Sequence, residues 1–138
     1  MKVFLDTNVL VSAAATRGLC ADVVRAVLVS HQLVVSAPLL AELENALRKK
    51  IGLPNNLISE FIEVLQQEAH FSAASDLPEI NIQDKDDLVI LSSALNGRAA
   101  LFITGDQELL DLCKVGDMEI ISPRIFWERL KTQPLDKP

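Results

Sequence analysis

The sequence predicts a single α/β domain built around a parallel β-sheet. Its 138 residues are about the length of one ordinary domain, and a hydrophobic fraction of 49% is enough to form a core. Short runs of Val, Ile and Leu without polar alternation are separated by segments of helical periodicity. That pattern is typical of parallel strands that helices cover on both faces.

The apolar runs predict four strands, at residues 2–5, 33–35, 101–103 and 118–121. Six helices are predicted between and after them. Their ranges are 19–29, a segment from Pro38 to the run Arg48-Lys49-Lys50, 55–68, 84–95, 107–112 and 124–130. The alternation of strand and helix is what a parallel sheet with crossover helices requires.

The predicted helices have recognisable faces and ends. In the first three, the residues expected to point inward are Val23, Val24, Val27 and Leu28, then Leu39, Leu40, Leu43 and Leu47, then Leu57, Phe61, Val64 and Leu65. Pro38 suits a first helical turn, where its missing N–H is harmless. Asp84 is a predicted N-cap, and Asn96-Gly97 is a predicted helix end.

Two segments are typical of connections rather than of regular structure. One spans 75–84 and contains Pro78, and the other is the proline-containing tail that begins near Thr132. We therefore expect one domain over residues 1–131 and a short C-terminal tail over 132–138.

The charge balance excludes a basic groove that binds nucleic acid through its net charge. Lys and Arg number 13 against 19 Asp and Glu, which gives a formal charge of −6. Aromatic residues make up only 4% of the chain, so a surface built on stacked aromatic rings is also excluded. A nucleic-acid substrate would have to be attracted by something other than global charge.

The sequence also indicates a cytoplasmic protein. No apolar run approaches the ~20 residues of a membrane span, and Asp6 and Asn8 interrupt the apolar N-terminal segment that would otherwise imitate a signal peptide. Cys20 and Cys113 lie in apolar surroundings without a CxxC motif, so we expect two buried, reduced thiols rather than a disulfide or a zinc site.

Acidic residues follow the predicted strands or open the predicted helices. Asp6 comes directly after the first strand, Glu42 lies about one turn into the helix after the second, and Asp106 follows the strand at 101–103. Asp84, Asp86 and Asp87 open the helix after the long connection. In a parallel α/β sheet the ligand site lies beyond the carboxyl ends of the strands, so these carboxylates should converge there.

Taken singly, most of these acids have a structural explanation: Asp84 and Asp106 as helix caps, Asp86 and Asp87 as charges at the positive end of a helix dipole, and Glu42 as a solvated residue on a helix face. Asp6 differs, because the apolar residues on both sides of it predict a partly enclosed carboxylate. Together, like charges in a crevice repel by roughly 3 kcal/mol per pair at ~5 Å and an effective dielectric of ~20. A bound cation would relieve that repulsion. Ligands that are all carboxylate oxygens favour Mg²⁺ or Mn²⁺ over zinc, and Mg²⁺ commonly binds phosphate oxygens. The natural substrate is then a phosphodiester.

These motifs, in their order and spacing, resemble the PIN domain, the nuclease family named for the PilT N-terminus. The similar segments are Val3-Phe4-Leu5-Asp6-Thr7-Asn8, Val34-Val35-Ser36 followed by Leu40-Ala41-Glu42-Leu43, Asp86-Asp87 followed by Ala94, and Ile103-Thr104-Gly105-Asp106. The chain is most similar to the short VapC-like toxins of toxin–antitoxin pairs. The resemblance implies a five-stranded parallel sheet in the order 3-2-1-4-5, a divalent-metal endoribonuclease, a small antitoxin partner and a homodimer.

The resemblance also implies roles for individual residues. Asp6 would be the central metal ligand, with Glu42, Asp87 and Asp106 as the other acids that hold one or two Mg²⁺ ions. Asn8 and Thr104 would orient these acids. Close relatives often have Asp-Pro before the paired acids where this chain has Gln83-Asp84, so Asp86 or Asp84 could share the work of Asp87. The negative net charge is a second departure.

Basic residues and two other function classes complete the predictions. Arg17, Arg48, Lys49 and Lys50 are candidate contacts for an RNA backbone, although a helix dipole alone favours cations at the end of a helix.

A receiver-type signalling module also binds Mg²⁺ with acids at strand ends. It would be expected to have a phosphorylatable Asp after the third strand and a Lys after the last, and neither is clear here. A catalytically inactive PIN fold that binds a protein partner is the third possibility.

Overall fold

The computed structural model describes residues 1–73 and 82–132. Most of the predicted connection at 75–84 and all but the first residue of the predicted tail at 132–138 lie outside the described residues.

The sheet contains six strands among the described residues. They are β1 (Lys2–Leu5), β2 (Gln32–Ser36), β3 (His70–Ser72), β4 (Leu101–Ile103), β5 (Lys114–Val115) and β6 (Met118–Ile121), in the spatial order β3-β2-β1-β4-β6-β5. Strands β3, β2, β1, β4 and β6 pair in parallel with their neighbours. This is the expected 3-2-1-4-5 arrangement, with β6 as its fifth strand. The predicted α/β class is thus confirmed, with β5 added as an antiparallel edge strand on β6.

Strand β1 occupies the middle of the sheet, between β2 and β4. Val3, Phe4 and Leu5 are all fully buried. Because successive side chains of a strand point to opposite faces, both faces of β1 are covered. The carboxyl ends of β1 and β4 lie side by side, since Leu5 pairs with Ile103 and the Asp6 N–H donates to the Ile103 carbonyl at 2.9 Å.

Seven α-helices are found in the described part of the chain. They are α1 (Thr7–Ala15), α2 (Leu19–Ser30), α3 (Ala37–Ala46), α4 (Asn55–Gln66), α5 (Lys85–Asn96), α6 (Gln107–Leu110) and α7 (Pro123–Thr132). Helix α2 packs on α1 and α7, while α3 packs against α4 and α5. Helix α3 continues into a π-helical turn, Leu47–Ile51, which Gly52 ends with a φ of 75°.

Polar side chains set the starts of the helices that begin near the carboxyl ends of the strands. Ser36, the last residue of β2, caps α3 by accepting a hydrogen bond from the Leu39 N–H at 3.3 Å, and Pro38 lies in the first turn as predicted. Asp6, Asp84 and Asp106 cap α1, α5 and α6 in the same way. Three of the candidate acids are therefore fixed in place by the chain's own helix starts.

Three elements are absent from the sequence-based prediction. Helix α1 carries β-branched Thr7, Val9 and Val11, which lower helix propensity. Strand β3 has three residues, and its one large apolar side chain, Phe71, is exposed. Strand β5 has only two residues.

The core is aliphatic and centred on the sheet, with Phe4 stacked on Phe102 at a centroid distance of 5.3 Å. The predicted inward face of α4 is correct for Leu65 and wrong for Leu57 and Val64. Leu57 and Val64 are 44% and 49% exposed, whereas Ile58 and Leu65 are buried. Leu28 of α2 was likewise expected inside and is exposed.

The expectation of two buried thiols is also wrong. Cys20 is only partly buried and Cys113 is exposed in the turn before β5, where its φ is 63°. Neither forms a disulfide. Within the described residues, no helix is both long enough and apolar enough to cross a membrane.

Candidate functional site

An acidic cleft of about 350 Å³ lies beyond the carboxyl ends of β1 and β4. Its walls come from α1, from α3 with its π turn, and from the starts of α5 and α6. The lining residues are Thr7, Asn8, Glu42, Asn45, Ala46, Lys49, Lys50, Asp84, Asp86, Asp87 and Asp106. The topology thus brings Glu42, Asp87 and Asp106 to one cavity, together with the alternative ligands Asp84 and Asp86.

Asp6 lies next to this cleft and is only 6% exposed. Its Oδ1 accepts a hydrogen bond of 2.8 Å from the Thr7 N–H, at the start of α1. Its Oδ2 accepts one of 2.7 Å from the Thr104 hydroxyl. Both oxygens are therefore oriented by the protein, and each keeps acceptor capacity for one more partner.

Thr104 connects two of the acids. Its side chain is fully buried at the end of β4, and its Oγ1 also accepts a hydrogen bond of 3.0 Å from the Asp106 N–H. Asp106 in turn caps α6, with its Oδ1 accepting from the Glu108 N–H at 2.9 Å. The hydroxyl of Thr104 thus ties the carboxylate of Asp6 to the backbone that carries Asp106.

Thr7 is a site residue that the sequence reasoning missed. Its hydroxyl donates a hydrogen bond to Oε1 of Glu42, which joins the start of α1 to α3. Asn8, the neighbour that the sequence singled out, is exposed and lines the cleft. Recognition of α1 would have found Thr7, because the residue after an N-cap Asp lies in the first helical turn beside the end of the strand.

The three acids at the start of α5 differ in their surroundings. Asp84 is exposed and caps the helix, with its Oδ1 accepting from the Asp86 N–H at 2.9 Å. Asp86 is exposed, while Asp87 is partly buried. No hydrogen bond to the Asp87 carboxylate is found in residues 1–73 and 82–132, so this group is the least compensated of the three.

The pKa values show that these acids act on one another. Partial burial, followed by neighbouring negative charge, raises the pKa of Asp87 from 3.8 to about 7. The neighbours, in order of effect, are Asp84, Asp6, Asp106 and Glu42. Burial also raises the pKa of Asp6; the hydrogen bonds from Thr104 and the Thr7 N–H oppose this rise, while Glu42 and Asp106 add to it.

The donor set fits a hard divalent cation in its chemistry. Carboxylate oxygens are the ligands that Mg²⁺ and Mn²⁺ prefer, and a cation would relieve the repulsion that helps to raise the pKa of Asp87. The carboxylates line the cleft but are not grouped tightly. Across the two described ranges, no three His, Cys, Asp or Glu side chains lie close enough together to hold a metal ion. The residues present are therefore a set of candidate ligands around an open cleft.

The four candidate basic residues separate into two groups. Lys49 and Lys50 line the acidic cleft. Arg48 lines a neighbouring groove of about 530 Å³ and is held there by Glu44 at 3.1 Å and by Asn55 at 3.3 Å. Arg17 is exposed in the connection between α1 and α2 and is not one of the residues that line the cleft.

Comparison with known proteins gives two matches. The PIN domain family matches the chain over residues 2–108. Among solved structures, the chain is similar to the crystal structure of VapBC2 from Rickettsia felis bound to a DNA fragment from their promoter, with a TM-score of 0.65 and 15% sequence identity. That match covers 88% of this chain and 98% of the other, and at this identity it shows a shared fold. No curated protein matches the chain.

Proposed function

The chain belongs to the PIN domain family, which matches residues 2–108, and from this premise we propose that it is a divalent-metal-dependent endoribonuclease. One observation carries the proposal. Glu42, Asp84, Asp87 and Asp106 line one cleft beside Asp6, and partial burial together with the charges of these neighbours raises the pKa of Asp87 to about 7. Acids from separate elements that repel one another across one cleft need a reason to be there, and a cation that binds phosphate supplies one.

In this proposal Asp6, Glu42, Asp87 and Asp106 hold Mg²⁺ or Mn²⁺, with Asp84 and Asp86 as further candidates. When bound, such an ion polarises a phosphate oxygen and lowers the pKa of a coordinated water. The part of the protein is to orient the ligands. The Thr104 hydroxyl and the Thr7 N–H fix the two oxygens of Asp6, and the Thr7 hydroxyl fixes Glu42.

The proposed biological setting is a type II toxin–antitoxin system in the cytoplasm, with this chain as the toxin. The similarity of its motifs to VapC-like toxins supports this, and so does the fold that it shares with the VapBC2 structure from Rickettsia felis. A small antitoxin protein would then cover the cleft, and its Arg or Lys side chains would find five carboxylates there. A homodimer is part of the same proposal.

The receiver-type module is no longer an alternative, because residues 2–108 match the PIN domain family. A catalytically inactive PIN fold is the remaining rival. It would keep the fold and the partner surface but would have no use for mutually repelling acids.

RNA cleavage in defined metal decides between these two functions. Purified protein is incubated with structured and unstructured RNAs in EDTA, in Mg²⁺ and in Mn²⁺, alongside Asp87→Asn and Glu42→Gln. The matched control is Asp117→Asn, an exposed acid in the turn between β5 and β6. We expect cleavage of single-stranded or loop regions by the wild type and the control, only with metal.

Two results would refute the nuclease. Cleavage in EDTA that survives Asp87→Asn and Glu42→Gln would show a contaminating or metal-independent activity. A folded wild type that binds its partner but cleaves none of the RNAs in either metal would favour the inactive fold.

A further inference from the structure

Two successive lysines, Lys49 and Lys50, line the acidic cleft from the side of α3. We propose that they form a phosphate-binding pair that holds the backbone of single-stranded RNA beside the carboxylates. This inference rests on the proposed nuclease function and adds to it the residues that admit a polyanion to an acidic site.

A π-helical turn presents the two lysines. Successive residues of an α-helix point about 100° apart, since a turn holds 3.6 residues. Here Leu47–Ile51 is a π-helical turn, and both lysines line the same cavity. Leu47 is fully buried and anchors the start of the turn, while Gly52 ends it and donates its N–H to the Leu47 carbonyl.

The ammonium groups of Lys49 and Lys50 are not engaged in the salt bridges of the described residues. The salt bridges found within residues 1–73 and 82–132 join Arg25 to Asp22, Arg48 to Glu44 and Arg129 to Glu119. Neither Lys49 nor Lys50 takes part in one, although five acidic side chains line the same cleft. Their charges are therefore free to meet an incoming anion.

An RNA phosphate needs positive charge on the cleft wall to approach the acids. A backbone phosphate that approaches the acids meets their combined negative charge on a protein whose net charge is −6. Lysine binds phosphate as a compact, flexible point charge, which suits a backbone read without regard to sequence. Two such charges on the cleft wall reduce the repulsion at the place where the phosphate must arrive.

Arg48 provides a control within the same turn. It carries the same charge and is also exposed, yet it lines the neighbouring groove and is already paired with Glu44. If charge near the cleft were all that mattered, its loss would act like the loss of either lysine. The proposal instead predicts that only Lys49 and Lys50 contact phosphate.

Salt-dependent binding tests the pair. A labelled single-stranded RNA is titrated with the Asp87→Asn protein in Mg²⁺, so that the RNA stays intact, and with the same protein carrying Lys49→Gln and Lys50→Gln or Arg48→Gln. Each phosphate contact contributes a slope of about −0.7 to log K against log salt for single strands. Between about 50 and 200 mM salt, the protein with both lysines should lose about sevenfold more affinity than the double lysine variant. Arg48→Gln should keep the full slope.

Cleavage kinetics give the second readout, and they are measured on the wild type and on the double lysine variant with Asp87 retained in both. The double lysine variant should raise KM while leaving kcat within about twofold, because a contact made equally in the ground state and the transition state affects binding alone. Thermal melts of all variants confirm that the exposed substitutions leave the fold intact.

The outcomes separate the two proposals. Equal salt slopes with and without the lysines would overturn the phosphate pair, even if the wild type cleaves RNA. A melting temperature lowered by the lysine substitutions with an unchanged slope would do the same, since it would make the lysines counter-ions of the carboxylates. The double lysine variant could show a smaller salt slope while the wild type cleaves no RNA in either metal. That result would support the phosphate pair and reject the nuclease.

Discussion

The hydroxyl of Thr104 donates a hydrogen bond of 2.7 Å to Oδ2 of Asp6, across the neighbouring ends of β4 and β1. The same oxygen accepts from the Asp106 N–H at 3.0 Å, so the single hydroxyl proton is directed to Asp6. Because Thr104 is fully buried, water cannot replace this donor. The orientation of the most buried candidate acid therefore depends on a residue at the end of another strand.

Thr104→Val removes the hydroxyl at nearly constant volume, and we expect it to destabilise the protein. The bond is made to an ionisable carboxylate, and such bonds contribute about 1.5–3 kcal/mol. This hydrogen bond stabilises the ionised carboxylate and so opposes the effect of burial, which raises the pKa of Asp6. The loss of stability in Thr104→Val should therefore be larger at pH 7 than at pH 4. Urea unfolding of both proteins at the two pH values measures it. Thr104→Ser keeps the donor and should lose much less; a Val variant as stable as the Ser variant would contradict the role assigned to the hydroxyl.

Thr7→Val tests the hydrogen bond that orients Glu42. Glu42 itself is exposed, so the effect on stability should be small. Activity and metal affinity should fall by on the order of 10–100-fold, as is usual when the partner of a metal-binding carboxylate is removed. Thr7→Ser retains the hydroxyl and should retain most activity, and Asn8→Ala should cost less than Thr7→Val. Cleavage rates at several Mn²⁺ concentrations measure both quantities, and a larger loss for Asn8→Ala would return the orienting role to Asn8.

Gly97→Ala tests the packing that closes α5 onto the sheet. A Cβ at this position would lie 2.6 Å from Cγ1 of Val34 and 3.0 Å from Cβ of Ser72. Val34 is fully buried and β-branched, so it cannot turn aside easily. We expect a loss of about 1–3 kcal/mol in urea unfolding, the usual cost of overpacking. Gly105→Ala is the matched control, because a Cβ there meets nothing within 4 Å.

The sheet and the convergence of the acids could be predicted because both follow from strong local signals. The runs that became β1, β4 and β6 consist mainly of apolar residues, and the acids follow strands whose carboxyl ends must share one edge of a parallel sheet. Asp6, Asp84 and Asp106 all cap helices, and this is compatible with the proposed site, since helices that start at this edge place their capping carboxylates at or beside the cleft. The positive ends of the helix dipoles also offset part of the repulsion.

The remaining details depend on local geometry that no residue pattern encodes. Leu57 is exposed while its neighbour Ile58 is buried, because helical spacing alone does not say which of two adjacent apolar residues faces the core. In the π turn Leu47–Ile51, Lys49 and Lys50 line the cleft while the adjacent Arg48 lines the neighbouring groove. Without α1, nothing distinguished Thr7 from Asn8. Each of these distinctions is between adjacent residues, which a residue pattern does not separate.

Asp87 is a better probe of the acidic cleft than Asp6. Substitution of Asp6 by Asn removes a charge but also disturbs the hydrogen bond from Thr104, so the two effects oppose each other. Although Asp87 lies in the first turn of α5, where the helix dipole favours a negative charge, burial and repulsion together raise its pKa. A neutral Asn at this position should therefore be tolerated without metal.

The metal-free protein should lose stability as the pH rises from 5 to 8, and Asp87→Asn should remove much of that loss. The pKa of Asp87 is raised from 3.8 to about 7, so between these values the folded state holds a proton that the unfolded state has released. Stability then falls with increasing pH across this window and levels off above it. Urea midpoints in EDTA at four pH values measure the slope, with Asp117→Asn as the control that should follow the wild type.

Mg²⁺ or Mn²⁺ at pH 8 should stabilise the wild type more than Asp87→Asn, because the ion binds the folded state. Equal slopes for the wild type and Asp87→Asn, with equal stabilisation by metal, would show that the acids of the cleft act as separate helix caps, and the proposed nuclease would lose its physical basis.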